Sequence, residues 1–286
     1  MGLARGGALV AVAVAVALGL AGCGGGGHER RDAVNAYFDR VDRAQSRLTA
    51  STGQIDAAFR NFSLTKNSAA ERRELRFARD RIRGALDGVR AVTPPREARR
   101  IHADLVRMLE LELAVARELV QATGYQPRLA RTLAPLNDAG KTLAAELGRA
   151  GKPGSTKVSS TAAKTVLDAY AGAFAHYRET LERIVAGLDE LAAPPTLRPT
   201  HDAERRTLAR AAELSGRVAR ALAAEDVDTA NAAIAELFSL TGAANDPATR
   251  AAAARAVRAY NARLRRIATL GARITRERER LVQLLG

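Results

Sequence analysis

A chain of 286 residues has room for one large domain or two small ones. Aromatic residues make up 4% and tryptophan is absent. A core must therefore come from Leu, Val, Ile and Ala, which leaves few large side chains to line a ligand pocket. Against 31 Asp and Glu stand 45 Lys and Arg, a formal net charge of +14. Apart from Lys66, Lys141, Lys152, Lys157 and Lys164, every basic residue is arginine. Such a balance favours anionic surfaces, whether lipid headgroups or wall polymers. Nucleic acid matches the charge too, but no helix-turn-helix pattern or interleaved aromatic and basic run is present. The single cysteine excludes an internal disulfide and a cysteine zinc cluster.

At the N-terminus Arg5 supplies a positive charge, and residues 8–20 form an almost unbroken apolar run. The run is shorter than the ~20 residues that span a bilayer and suits the apolar part of a secretory signal. It ends in Leu20-Ala21-Gly22-Cys23. These four residues resemble the lipobox of bacterial prolipoproteins. The resemblance implies a signal peptide at 1–22, cleaved before Cys23. It further implies a diacylglyceryl thioether on Cys23, with fatty-acyl chains such as palmitate, and often an acylated new amine. Two or more chains anchor durably where one is marginal. Gly24 to Gly27 then make residues 23–27 a lipidated cysteine with a flexible tether. A stray buried thiol is the competing reading, and a glycine tract offers it no core. No twin-Arg pair is present, so the general secretory route is expected.

Beyond the tether the pattern is helical. Steps of three and four predict helices near 29–62, 68–92, 95–123, 127–149, 161–192, 199–223, 227–241 and 247–284. Val166, Tyr170, Phe174, Tyr177, Leu181, Ile184, Leu188 and Leu191 form the longest stripe. Ser68 and Glu71 have capping-box spacing, and Asp246-Pro247 reads as an N-cap followed by a first-turn proline. Pro94-Pro95 and Pro194-Pro195 interrupt helices. Residues 150–160, rich in Gly, Pro, Ser and Thr, read as a linker between a first helical half at 28–149 and a second at 161–286. The halves look alike. Their Pro-Pro pairs lie 100 positions apart, and His102 and His201, which follow them, lie 99 apart. Ala36-Tyr37 and Ala169-Tyr170 hold similar places upstream. The expected fold is all-α, with helical bundles made of two related helical-hairpin halves.

Reactive constellations are scarce. No histidine has a glutamate three residues before it, so the di-iron bundle pattern is missing. Gly140-Lys141-Thr142 mimics the end of a phosphate loop, but Pro135 stands where its first glycine belongs. No Gly-x-Ser-x-Gly elbow occurs. His102, near Asp104, and His201, near Asp202 and Glu204, are the remaining candidates for a metal or a pH response. The plainer reading has each histidine hydrogen-bonding near a helix start. The alternation Arg276-Glu277-Arg278-Glu279-Arg280 reads as a solvated, salt-bridged face. The arginine-rich stretches 96–107 and 205–220 suggest a paired basic surface.

The expectation is a lipid-anchored protein on the extracytoplasmic face of the cell membrane, without cofactor or catalytic residues. Its body resembles helical lipoproteins of GC-rich Gram-positive bacteria that carry no assigned activity. A non-enzymatic binding or scaffolding role follows, toward anionic headgroups, wall polymers or another envelope protein, and not toward nucleic acid. The alternative is a carrier of a small ligand or metal that uses His102 and His201 between the halves.

Overall fold

The computed structural model describes residues 28–62, 69–150, 160–240, 242 and 245–285. Leu20, Ala21, Gly22, Cys23, the signal and tether segments, Ser68 and residues 151–159 of the linker lie outside them. Eight α-helices account for most of the described residues, with no strand among them, as the all-α expectation requires. They are α1 (His28–Thr49), α2 (Thr52–Asn61), α3 (Ala69–Arg90), α4 (Arg99–Ala150), α5 (Ser160–Asp189), α6 (Arg198–Ala223), α7 (Val227–Ser239) and α8 (Pro247–Leu285). A 3-10 turn, Arg96–Ala98, precedes α4.

Two boundaries differ from the sequence pattern. The helix expected at 29–62 breaks after Thr49. There the Ser51 hydroxyl donates to the Arg47 carbonyl at 2.8 Å and the Thr52 hydroxyl to the Leu48 carbonyl at 3.4 Å. Such side chains compete with the backbone ladder. Conversely, the helices expected at 95–123 and 127–149 are largely one, since α4 runs 52 residues through Pro127 and Pro135. Each proline removes one backbone donor. The apolar stripe Leu129, Leu133 and Leu136 nevertheless continues past Pro127 into a core, so packing holds the helix where local preference would end it.

The chain forms two compact units, and they do not follow the halves 28–149 and 161–286. One unit takes residues up to Gly124 together with Val257 onward, and the other takes 125–256. The linker therefore lies inside the second unit, and both α4 and α8 contribute to both.

In the first unit, Val34, Tyr37, Phe38, Val41 and Leu48 form the inner stripe of α1, and Leu75, Ile82, Leu86 and Val89 that of α3. These meet Ile101, Leu105, Leu109 and Val115 of α4 and Ile267, Leu270, Ile274 and Leu281 of α8 in one core. Three arginines of α8 hold carboxylates on other helices. Arg278 reaches Asp42 at 3.1 Å, Arg273 pairs with Asp104, and Arg263 pairs with the buried Glu118.

The second unit has two smaller clusters, richer in alanine. One gathers Phe174, Val218, Leu222, Ala230 and Ala233, and the other Leu181, Ile184, Leu188, Leu208 and Ala212. Asp226 and Asp246 cap α7 and α8. Their carboxylates accept from the Thr229 and Thr249 amides at 3.0 and 2.8 Å, each satisfying a donor that the helix start leaves open.

Both Pro-Pro corners are built alike. After α3 the Val92 amide donates to the Val89 carbonyl, and after α5 the Leu191 amide donates to Leu188, both at 3.0 Å. The Ala98 amide then bonds Pro95, and the Leu197 amide bonds Pro194. The matched positions differ by 99, the interval of the two histidines. The same interval pairs buried Leu75 with Phe174, Ile82 with Leu181, Val89 with Leu188, Leu109 with Leu208, Val115 with Leu214 and Leu119 with Val218. The repeat thus covers α3 with the start of α4, and α5 with α6.

Candidate functional site

His102 and His201 open matching helices, and each meets a tyrosine of its own unit. Tyr37 Oη lies 3.3 Å from His102 Nδ1, and Tyr125 Oη lies 2.9 Å from His201 Nδ1. Both ring pairs are edge-on, with centroids 5.9 and 5.7 Å apart. Tyr37, Tyr125 and His201 are buried, and His102 is half-buried. Burial pushes the Tyr37 phenol well above its ordinary range, against the nearby Arg278 charge. The Tyr125 phenol is pushed up to about 12 by burial and then by the charges of Asp202 and Glu204. Phenols so held keep their protons at neutral pH and serve neither as base nor as nucleophile. Burial also holds His102 below the usual imidazole range. The counterpart of Tyr37 is therefore Tyr125, not Tyr170, whose ring packs against the alanine-rich cluster.

Among the described residues no three His, Cys, Asp or Glu side chains converge as a metal site requires. Lys141 of the phosphate-loop look-alike sits inside α4 and pairs with Asp138 at 3.6 Å. Two carboxyls of the first unit have unusual surroundings. Glu112 of α4 is buried, and its carboxyl is pushed up to about 8, by desolvation first and then by the Asp56 charge. Burial raises Asp56 as well, against the Arg60 charge, and its Oδ1 is buried without a hydrogen bond.

The second unit carries a surface groove of about 400 Å³ between α4 and α5. Pro135, Ala139, Leu143 and Ala173 give it an apolar wall. Its polar lining includes Glu146, whose Oε1 lies 3.3 Å from His176 Nδ1. No sequence pattern marked this pair, because the two residues are 30 positions apart and neither belongs to a motif.

Part of the expected basic surface at 96–107 and 205–220 is neutralised, while Arg96, Arg99, Arg206, Arg217 and Arg220 are exposed with no ion pair among the described residues. Arg107 joins Arg90 in holding Glu110, Arg100 faces Glu277, Arg205 holds Asp189, and Arg210 bridges Glu213 and Glu236. The alternating run at 276–280 is not wholly solvated either, since Arg278 is buried with its guanidinium 4.7 Å above the Phe38 ring. Unpaired positive charge is also dense on α8, which has ten arginines and only Glu277 and Glu279 against them. Arg250, Arg255, Arg258, Arg265, Arg266 and Arg276 are exposed. Among the described residues none of the six has an ion-pair partner.

The chain is thus an all-α protein of two helical units, each stitched by a Tyr–His pair, with an arginine-rich last helix. No family model, curated protein or solved structure matches it. None of its described helices is long and apolar enough to cross a membrane.

Proposed function

We propose that this protein is a lipoprotein held on the extracytoplasmic face of the cell membrane, where its helical body binds or scaffolds rather than catalyses. One observation carries the reading: the sequence Leu20-Ala21-Gly22-Cys23 directly after a short apolar run. The net charge of +14 supports an anionic partner, whether headgroups, wall polymer or an acidic envelope protein. The tyrosine-bound histidines and the protonated phenols support a structural use of the residues that looked most reactive. Acyl labelling and membrane fractionation of the full chain test the anchor. Wild type is expected to take up labelled palmitate and to sediment with membranes, whereas Cys23→Ser is expected to do neither. Unlabelled wild type, or Cys23→Ser still firmly attached, refutes it.

A second reading, a small-ligand carrier, draws its support from the groove of the second unit and not from His102 and His201. The Glu146–His176 pair beside an apolar wall suits a compact ligand with one polar end.

A further inference from the structure

On α8, part of the unpaired charge of the first unit is arranged in a row. Arg258 and Arg276 are 18 positions apart, which is five helical turns at 3.6 residues per turn, so they share one face of α8. Arg265 falls between them, about 20° from the same line. Ala262, Thr269 and Ala272 complete the row, and all six positions are exposed. Small neighbours leave the three guanidinium groups unobstructed over about 27 Å of helix. The opposite face of α8 is fixed in the core by Ile267, Leu270 and Ile274 and by the pairs of Arg263, Arg273 and Arg278. The row is therefore held rigidly outward. Charges of one sign along a rigid face repel one another until an anionic surface covers them.

We propose that this face of α8, through Arg258, Arg265 and Arg276, docks on the headgroups of anionic phospholipids. The inference rests on the lipid-anchor reading, which supplies the choice of occupant. Five peptide units separate Cys23 from His28, where α1 starts, and they reach at most about 18 Å. A bilayer holding Cys23 thus keeps α1 close to its headgroup layer. The arginine row belongs to the same unit as α1, through Arg278 on Asp42 and Phe38. The headgroup layer is then the nearest extended anionic surface, and guanidinium forks suit its phosphates.

Vesicle sedimentation of residues 28–286, which contain both compact units without the lipid, tests the docking apart from the anchor. The probes are neutral phosphatidylcholine vesicles, the same vesicles containing phosphatidylglycerol, and a soluble polyphosphate chain. Wild type is expected to bind the anionic vesicles, to lose them as salt is raised, and to ignore the neutral ones. Each arginine near such a surface contributes about fivefold, so the triple variant R258Q/R265Q/R276Q should bind roughly 100-fold more weakly. A charge-matched control, R90Q/R107Q/R205Q, removes three ion-paired arginines and should lose far less. Equal losses in the two triple variants overturn the proposal, as does a folded R258Q/R265Q/R276Q protein that binds like wild type. Binding to polyphosphate without binding to anionic vesicles also overturns it, naming a polymer as the occupant. In each case acyl labelling of Cys23 reports on the anchor separately.

Discussion

The Tyr125 hydroxyl and His201 Nδ1 satisfy each other at 2.9 Å in a buried setting. Tyr125→Phe leaves the imidazole nitrogen short of its partner and is expected to cost about 1–3 kcal/mol in urea unfolding. Tyr37→Phe should cost less, because the matching bond is 3.3 Å and His102 is half-buried. Glu112 sets a pH dependence of definite sign. Its folded carboxyl is pushed up to about 8, mainly by desolvation, so the folded chain holds this proton more tightly than the unfolded one. Its contribution is full below the ordinary carboxylate range, declines as pH rises and is gone above about 8. Glu112→Gln is neutral throughout. It is expected to exceed wild type in stability by roughly 2–4 kcal/mol near pH 8.5 and by under ~1 kcal/mol near pH 5. A constant difference across that range would show that Glu112 does not titrate in this way. His102 acts in the opposite sense. Burial lowers its imidazole, so its contribution is lost as pH falls below about 6.5.

Two glycines one turn apart on α3 separate helix propensity from packing. A Cβ on Gly84 meets nothing within 4 Å, whereas one on Gly88 falls 3.0 Å from the Ala44 Cβ of α1. Gly84→Ala should stabilise the protein by about 0.5–1 kcal/mol. Gly88→Ala should gain less or destabilise, because α1 must shift to admit the methyl. Equal gains in thermal unfolding would mean that α1 and α3 are not so closely packed. At this scale much was legible in the sequence. The stripe from Val166 to Leu191 forecast α5, and Asp246-Pro247 forecast the start of α8, because periodicity and caps are local signals. The run of α4 through Pro127 was not legible, since its cause is the distant core that receives Leu129 and Leu133. The histidines were legible through their shared interval from the corners. Their tyrosines were not, because the bonds span 65 and 76 positions. The arginine row on α8 could be counted in the sequence but not singled out there. Only the carboxylates folded beside Arg263, Arg273 and Arg278 distinguish them from Arg258, Arg265 and Arg276.

At the scale of the molecule, the first unit is discontinuous, drawing on both ends of the described chain. A chain ending at Ala256 loses Ile267, Leu270, Ile274 and Leu281 from its core. At about 1.5–3 kcal/mol for each buried side chain, that is about 6–12 kcal/mol, as much as a whole domain's stability. The truncated chain is expected to lose the helical signal of α1 and α3 along with that of α8, and to become open to protease within α1. Retention of a protected α1 would show that the first unit stands without α8. The second unit, 125–256, draws on one continuous stretch. During synthesis the order of completion therefore runs against the order of the chain. Residues 28–124 precede 125–256 yet lack part of their core until 257–285 follow, while 125–256 already have all their parts. Residues 28–124 spend that interval with an apolar seam uncovered, and the arrival of α8 is the event that closes it.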